Sequence, residues 1–207
     1  MGYPVTVAVE PLHAGRNRLT TLFRFVLAIP HLILVGGLGI GFAYRSDTSS
    51  LVSEGGLFGA VVGFLAIVSW ITLVVAGVHI AGIRQLTTMY LRWRARLLGY
   101  FMLLEDAYPP FGDGPYPVTV DVADPPLPRN RLTIAVRLIL VLPHVFVLAL
   151  IEVLWGLGTI AAWFIILFTG AYPAGLYGFA VGALRWRLRV EAYALLLVDE
   201  YPPFSMQ

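Results

Sequence analysis

Arg16-Asn17-Arg18-Leu19-Thr20 recurs unchanged as Arg129-Asn130-Arg131-Leu132-Thr133, and that echo decides the fold. Working outward, Tyr3-Pro4-Val5-Thr6-Val7 matches Tyr116-Pro117-Val118-Thr119-Val120, Arg24 matches Arg137, and Pro30-His31 matches Pro143-His144. Later, Arg92-Trp93-Arg94 returns as Arg185-Trp186-Arg187, and Arg96, Tyr100 and Asp106 return as Arg189, Tyr193 and Asp199. Tyr108-Pro109-Pro110-Phe111 closes one copy and Tyr201-Pro202-Pro203-Phe204 the other. So many matches in fixed order establish an internal duplication. The copies are residues 1–111 and 116–207, with 112–115 as linker. The offset between them drops from 113 to 93, so the first copy carries an insertion near residues 37–56. Its Gly, Ser, Asp47 and Glu54 read as a loop.

The solvent for most of this chain is not water. Of 207 residues, 58% are hydrophobic and 13% charged, against about 25% charged in a soluble domain. There is no cysteine, which excludes disulfides, thiolate metal sites and cysteine nucleophiles. Every basic residue is arginine. The first apolar run begins near Leu19 after an extended segment, which reads as a retained signal anchor and not as a cleavable signal peptide.

Four stretches are long enough to span a bilayer, which takes about 20 apolar residues each. They are Leu19–Ala43, Leu57–Ile83, Leu132–Leu154 and Leu157–Leu184, the last two meeting at a turn over Trp155-Gly156-Leu157-Gly158. Backbone groups in lipid must bond within their own segment, so each span is expected to be a helix. Arginines crowd before span one, between spans two and three, and after span four. The positive-inside rule then puts both termini in the cytoplasm. The expected architecture is an all-α membrane protein of four helices. Its two tandem hairpins (2+2) are related by a pseudo-two-fold along the membrane normal.

Two small-residue rows, Gly55, Gly59, Gly63 and Ala174, Gly178, Gly182, allow close helix approach. They fit packing within the bundle or an interface with another subunit. Tyr3–Val9 and Tyr116–Val122 alternate with period two and read as short strands that pair antiparallel beneath the bundle. Arg92–Leu104 and Arg185–Val198 read as interfacial amphipathic helices. Arg92, Arg94, Arg96, Arg185, Arg187 and Arg189, with Arg24 and Arg137, are candidate contacts to lipid phosphates. Topology-setting charge is the plainer alternative.

Ionisable residues inside spans are functional candidates. His31, His144, His79 and Tyr172, placed by helix rise, form a candidate polar layer near the midplane. Three readings stay open: hydrogen bonding to neighbouring helices, a path for a proton, ion or small solute, and metal or haem ligation, which no HxxxH spacing supports. Asp106 and Asp199 beside Tyr-Pro-Pro read as caps or turns. The chain shows no P-loop, dinucleotide fingerprint, GxSxG or HExxH motif.

The Tyr-Pro-Val-Thr, Arg-Asn-Arg-Leu-Thr, Pro-His, Arg-Trp-Arg and Tyr-Pro-Pro-Phe set resembles a bacterial family built on a domain of unknown function, common in actinobacteria and often in tandem. The resemblance covers essentially the whole chain. It implies an inner-membrane protein and supplies no catalytic residues, cofactor or metal. The reading is a non-enzymatic accessory or scaffold subunit of an envelope or transport complex, without cofactor. Its partners are membrane lipids and other membrane subunits or a second copy, not nucleic acid. The alternatives are a small transporter or channel using the histidine layer, and an anionic-lipid-binding protein.

Overall fold

The computed structural model describes residues 2–36 and 55–207. Of the expected outer loop near 37–56, residues 37–54 lie outside the described residues, and Gly56 already belongs to a helix. The elements run β1 (Val5–Val9), α1 (Arg18–Val35), α2 (Gly56–Ala76), α3 (Ala81–Phe101), β2 (Val118–Val122), α4 (Arg131–Ala135), α5 (Arg137–Thr169) and α6 (Ala174–Ala194). Among the described residues, three helices, α1, α2 and α5, are long and apolar enough to cross a membrane.

The Arg-Asn-Arg-Leu-Thr motif starts the apolar helix in each copy. Asn17 caps α1 by accepting from the Leu19 and Thr20 amides at 3.0 and 3.1 Å. Asn130 does the same for α4 with Leu132 and Thr133 at 3.1 and 3.3 Å. These are the backbone donors that a helix start otherwise leaves unpaired. Along α1, Thr21, Arg24, Ala28, His31 and Val35 form one narrow buried stripe. In α5 the stripe runs from Arg137 through His144, Leu148 and Trp155 to Ile166. The heptad-like spacing keeps a single seam facing inward, and most of the remaining helix surface is apolar and partly or fully exposed.

The four-span, 2+2 hairpin arrangement is corrected here. Trp155-Gly156-Leu157-Gly158 is no turn: α5 runs unbroken for 33 residues through it. A helical glycine costs about 1 kcal/mol, less than leaving a turn of backbone groups unbonded against apolar surroundings. The break comes instead at Gly170, left-handed with φ 71°, followed by Pro173. Leu157–Leu184 is therefore divided between α5 and α6.

In the first copy the counterpart of α5 is α1 and α2 placed end to end. A Cβ on Gly56 would lie 2.5 Å from the Leu34 carbonyl carbon, so α2 begins where α1 stops. By the two repeat offsets, Val35 corresponds to Leu148 and Gly56 to Ala149. The insertion thus interrupts one continuous rod. Helix α3 confirms the alignment by crossing the junction. Its Tyr90 hydroxyl donates to the Gly55 carbonyl, its Trp93 reaches His31, and its Arg24 contact lies at Tyr100.

The two rods run antiparallel. The start of α1 joins the end of α5 through the Arg16 amide to the Gly170 carbonyl at 3.1 Å and the Trp163 indole to the Thr21 carbonyl at 2.9 Å. At the other end the Trp70 indole donates to Ile134 and Arg131 to Val75, at 3.0 and 3.1 Å. The expected strand pair is present: β1 and β2 are antiparallel with Val7 opposite Val120, its own repeat counterpart. The pseudo-two-fold axis therefore passes between Val7 and Val120, and it crosses the rods instead of running along them. Val5, Val7, Val118 and Val120 are buried on α3 and α6, while Thr6, Ala8, Thr119 and Asp121 face outward.

Candidate functional site

Each apolar rod presents charged and aromatic side chains on its buried stripe, and these converge on three kinds of assembly. The first is a clasp at each rod start. Arg16 and Arg24 both bond Asp106 Oδ1, at 2.8 and 2.6 Å. Arg129 and Arg137 bond Asp199 Oδ1 at 2.5 and 2.8 Å. Arg24 also donates to the Glu105 carbonyl, and Arg137 to the Val198 carbonyl. Their guanidinium carbons stand 4.5 Å over Tyr100 and 4.4 Å over Tyr193. Arg16 and Arg129 reach the carbonyls of Leu103 and Leu196. These two leucines hold positive φ, 64° and 63°, just past the ends of α3 and α6. The guanidinium groups thus satisfy carbonyls at helix ends, where the dipole is negative.

Burial raises the Asp199 carboxyl, but hydrogen bonds and charge from Arg129 and Arg137 outweigh it and hold the group below its usual range. Glu105, beside the first clasp, goes the other way. Burial pushes it up to about 7 despite Arg16. Its counterpart by the late offset is the apolar Val198.

The second assembly is an aromatic cage around each histidine. His31 stacks on Phe111 at 4.2 Å, meets Tyr108 at 5.0 Å, and accepts from the Trp93 indole at 2.9 Å. His144 stacks on Phe204 at 4.0 Å, meets Tyr201 at 4.9 Å, and accepts from Trp186 at 3.2 Å. An indole only donates, so Nδ1 is the acceptor and the neutral ring carries its proton on Nε2. Tyr-Pro-Pro-Phe, which follows the ends of α3 and α6 by several residues, therefore folds back to close the cage.

The third assembly lies near the pseudo-two-fold axis. Glu191 bonds Arg94 at 2.9 Å and approaches Arg187 at 3.9 Å, while Arg187 bonds Glu152 at 2.6 Å. Both arginines and Glu191 are at most 2% exposed. The acids belong to the second copy alone, for Gly59 and Leu98 stand at their positions in the first. Arg94 finds a different partner there, the Val35 carbonyl, which the broken rod leaves open.

The expected histidine layer does not assemble. His31 and His144 occupy separate cages in the first half of separate rods. His79 sits in the α2–α3 break, its Nδ1 3.2 Å from the Ile80 carbonyl. Tyr172, in the α5–α6 break, packs edge-on to Tyr177 and under Arg16. Placement by helix rise failed because the helices end at Gly77 and Gly170.

The expected phosphate contacts also turn inward. Arg24, Arg94, Arg137, Arg187 and Arg96 are buried. Arg92 and Arg185 donate to the carbonyls of Val120 and Val7, tying each strand to a helix. Arg96 bonds Asp113 and Gly112, and Arg189 lies over Tyr3. Arg-bearing α3 and α6 are helical, as expected, but they form the core instead of lying at an interface. The small-residue rows are divided. A Cβ on Gly59 would meet Tyr90 Oη at 2.8 Å, and one on Gly182 would meet Met206 Cβ at 2.7 Å. Gly63 and Gly178 face open space, Gly55 precedes α2, and Ala174 is exposed.

Sequence reasoning missed the roles of Asp106 and Asp199. The available signal was that each recurs with its two arginines, and a buried arginine needs an acceptor. Among the described residues, no three His, Cys, Asp or Glu side chains converge as a metal set.

Fold and site together define a duplicated helical protein whose shared motifs are internal fastenings and whose apolar helices are compatible with a membrane protein. The family model for a domain of unknown function, DUF4389, matches residues 55–112 and 131–206, and the chain belongs to that family. One matched segment lies in each copy, the first ending one residue into the linker. No curated protein and no solved structure matches the chain.

Proposed function

We propose that this protein is a non-enzymatic structural subunit of a bacterial membrane, an accessory or scaffold for a larger envelope or transport assembly. One observation carries the reading: the buried ionisable groups common to both copies are engaged in holding the fold together. Arg16, Arg24 and Asp106, like Arg129, Arg137 and Asp199, form closed clasps, and both caged histidines already accept an indole proton. The transporter reading loses its histidine layer, and the anionic-lipid reading loses most of its cations. What remains for interaction is an extensive apolar surface, with exposed Phe23, Ile33, Phe64, Ile67, Phe146 and Phe168. Continuous apolar surface on this scale marks contact with lipid or with another protein.

Mass measurement of the native complex, released from membrane in lipid discs, tests the proposal. The expected species is the chain bound to a further protein or to a second copy. A solitary chain under every mild extraction would contradict it.

A further inference from the structure

The geometry points to a monotopic seating: both rods lie flat in one leaflet of a bilayer, with the strand pair turned toward water. This rests on the reading that the apolar helices meet lipid, and not on the scaffold role.

Three observations converge. The first is symmetry. The rods are antiparallel and exchange ends about an axis between Val7 and Val120. An axis along the membrane normal is compatible with antiparallel rods only if they lie in the membrane plane. Crossing rods would require the axis to lie in that plane instead, which would bring the strand pair to mid-bilayer depth.

The second is length. Helix α5 has 33 residues, about 50 Å at 1.5 Å per residue, while a hydrocarbon core is about 30 Å thick. Its exposed apolar side chains continue from Leu138 to Phe168. A crossing helix of that length would be expected to show a polar collar where it left the lipid.

The third is where charge sits. Helices α3 and α6 pack on the middles of the rods, with Tyr90 at Gly55 beside the α1–α2 junction and Arg187 at Glu152 within α5. They and their loops present Arg92, Asp113 and Asp124, whose side chains are 36, 48 and 91% exposed, and the strands present Asp121. In crossing rods this layer would face hydrocarbon, where ionised groups are strongly disfavoured. In flat rods it faces water. The whole molecule is then amphipathic in the manner of an interfacial helix.

The chain has no cysteine, so single nitroxide labels can be placed without background. Ile139, Phe146, Val153 and Ile160 share one face of α5 at heptad spacing and are all exposed. Together they cover about 30 Å of helix. Each is changed to Cys in the full chain, as is Thr6 on the strand pair, and label depth is read by relaxation with oxygen and a water-soluble nickel chelate in phosphatidylethanolamine–phosphatidylglycerol vesicles. The expected result is one common depth for the four α5 labels and an aqueous label at position 6. A depth that rises to a maximum midway and falls at both ends would overturn the seating and establish crossing rods. Four labels all open to the nickel chelate would overturn the lipid reading beneath it.

Discussion

Arg94 and Arg187 hold the same place in the two copies and close on different acceptors, the Val35 carbonyl in one and the Glu152 carboxylate in the other. The difference follows from the insertion. Where the rod is broken, the last turn of α1 offers carbonyls; where it runs through, those carbonyls bond within the helix, and Glu152 takes over.

The first copy should therefore be convertible into the second. Deleting residues 36–55 restores the continuous register. It also withdraws the Val35 carbonyl from Arg94, so the deletion alone should lower stability by about 1–3 kcal/mol. Adding Gly59→Glu with Tyr90→Ala rebuilds the second-copy pair. Tyr90 must go because a Cβ at position 59 meets its hydroxyl at 2.8 Å. Thermal unfolding in lipid discs should show the triple change recovering most of the loss.

Glu191 is the shared carboxylate between two buried guanidinium groups. Glu191→Gln keeps its shape and removes its charge. Removing one partner of a buried ionic network costs about 3–5 kcal/mol, and chemical denaturation should report a loss of that order. A loss below about 1 kcal/mol would mean the network is solvated.

The two cages should differ in sensitivity. His31→Leu and His144→Leu each strand an indole N–H, a penalty of about 1–3 kcal/mol when water cannot replace the acceptor. Trp186 is buried, while Trp93 is partly exposed. The His144 variant should therefore be the less stable of the two by calorimetry.

Stability should fall with rising pH between about 4.5 and 7 because of Glu105. Its folded-state value is raised from 4.5 to about 7, so the folded protein binds the proton more tightly than the unfolded chain and loses that advantage as pH rises. Glu105→Gln should flatten this slope and be the more stable form above pH 7. Asp199 acts in the opposite sense and in a lower window. Its lowered value stabilises the fold above pH 3.8, and that stability is lost as acid protonates it. Unfolding midpoints across the pH range check both.

Much of this is legible in the amino-acid sequence. The duplication and both strands with their antiparallel pairing follow from repeated motifs and period-two pattern. The pairing of Asp106 with two arginines did not, because partners 82 and 90 residues apart leave only their joint recurrence as a trace. The path of α5 misled for a physical reason. Gly156 and Gly158 look like a turn, yet a helix in apolar surroundings tolerates glycine more readily than broken hydrogen bonds. Hydropathy read in windows of one span's length also splits a continuous rod, so α5 is divided between two expected spans.

The antiparallel rods are the centre of this account, and paired spin labels measure them directly. Leu22, Phe164 and Leu138 are all exposed, so Cys at these positions leaves the core intact. Dipolar spectroscopy should find the Leu22–Phe164 pair close and the Leu22–Leu138 pair far, separated by about 40 Å along the rod at 1.5 Å per residue. The reverse order, with Leu22 near Leu138 and remote from Phe164, would mean the rods run parallel and would contradict the fold described.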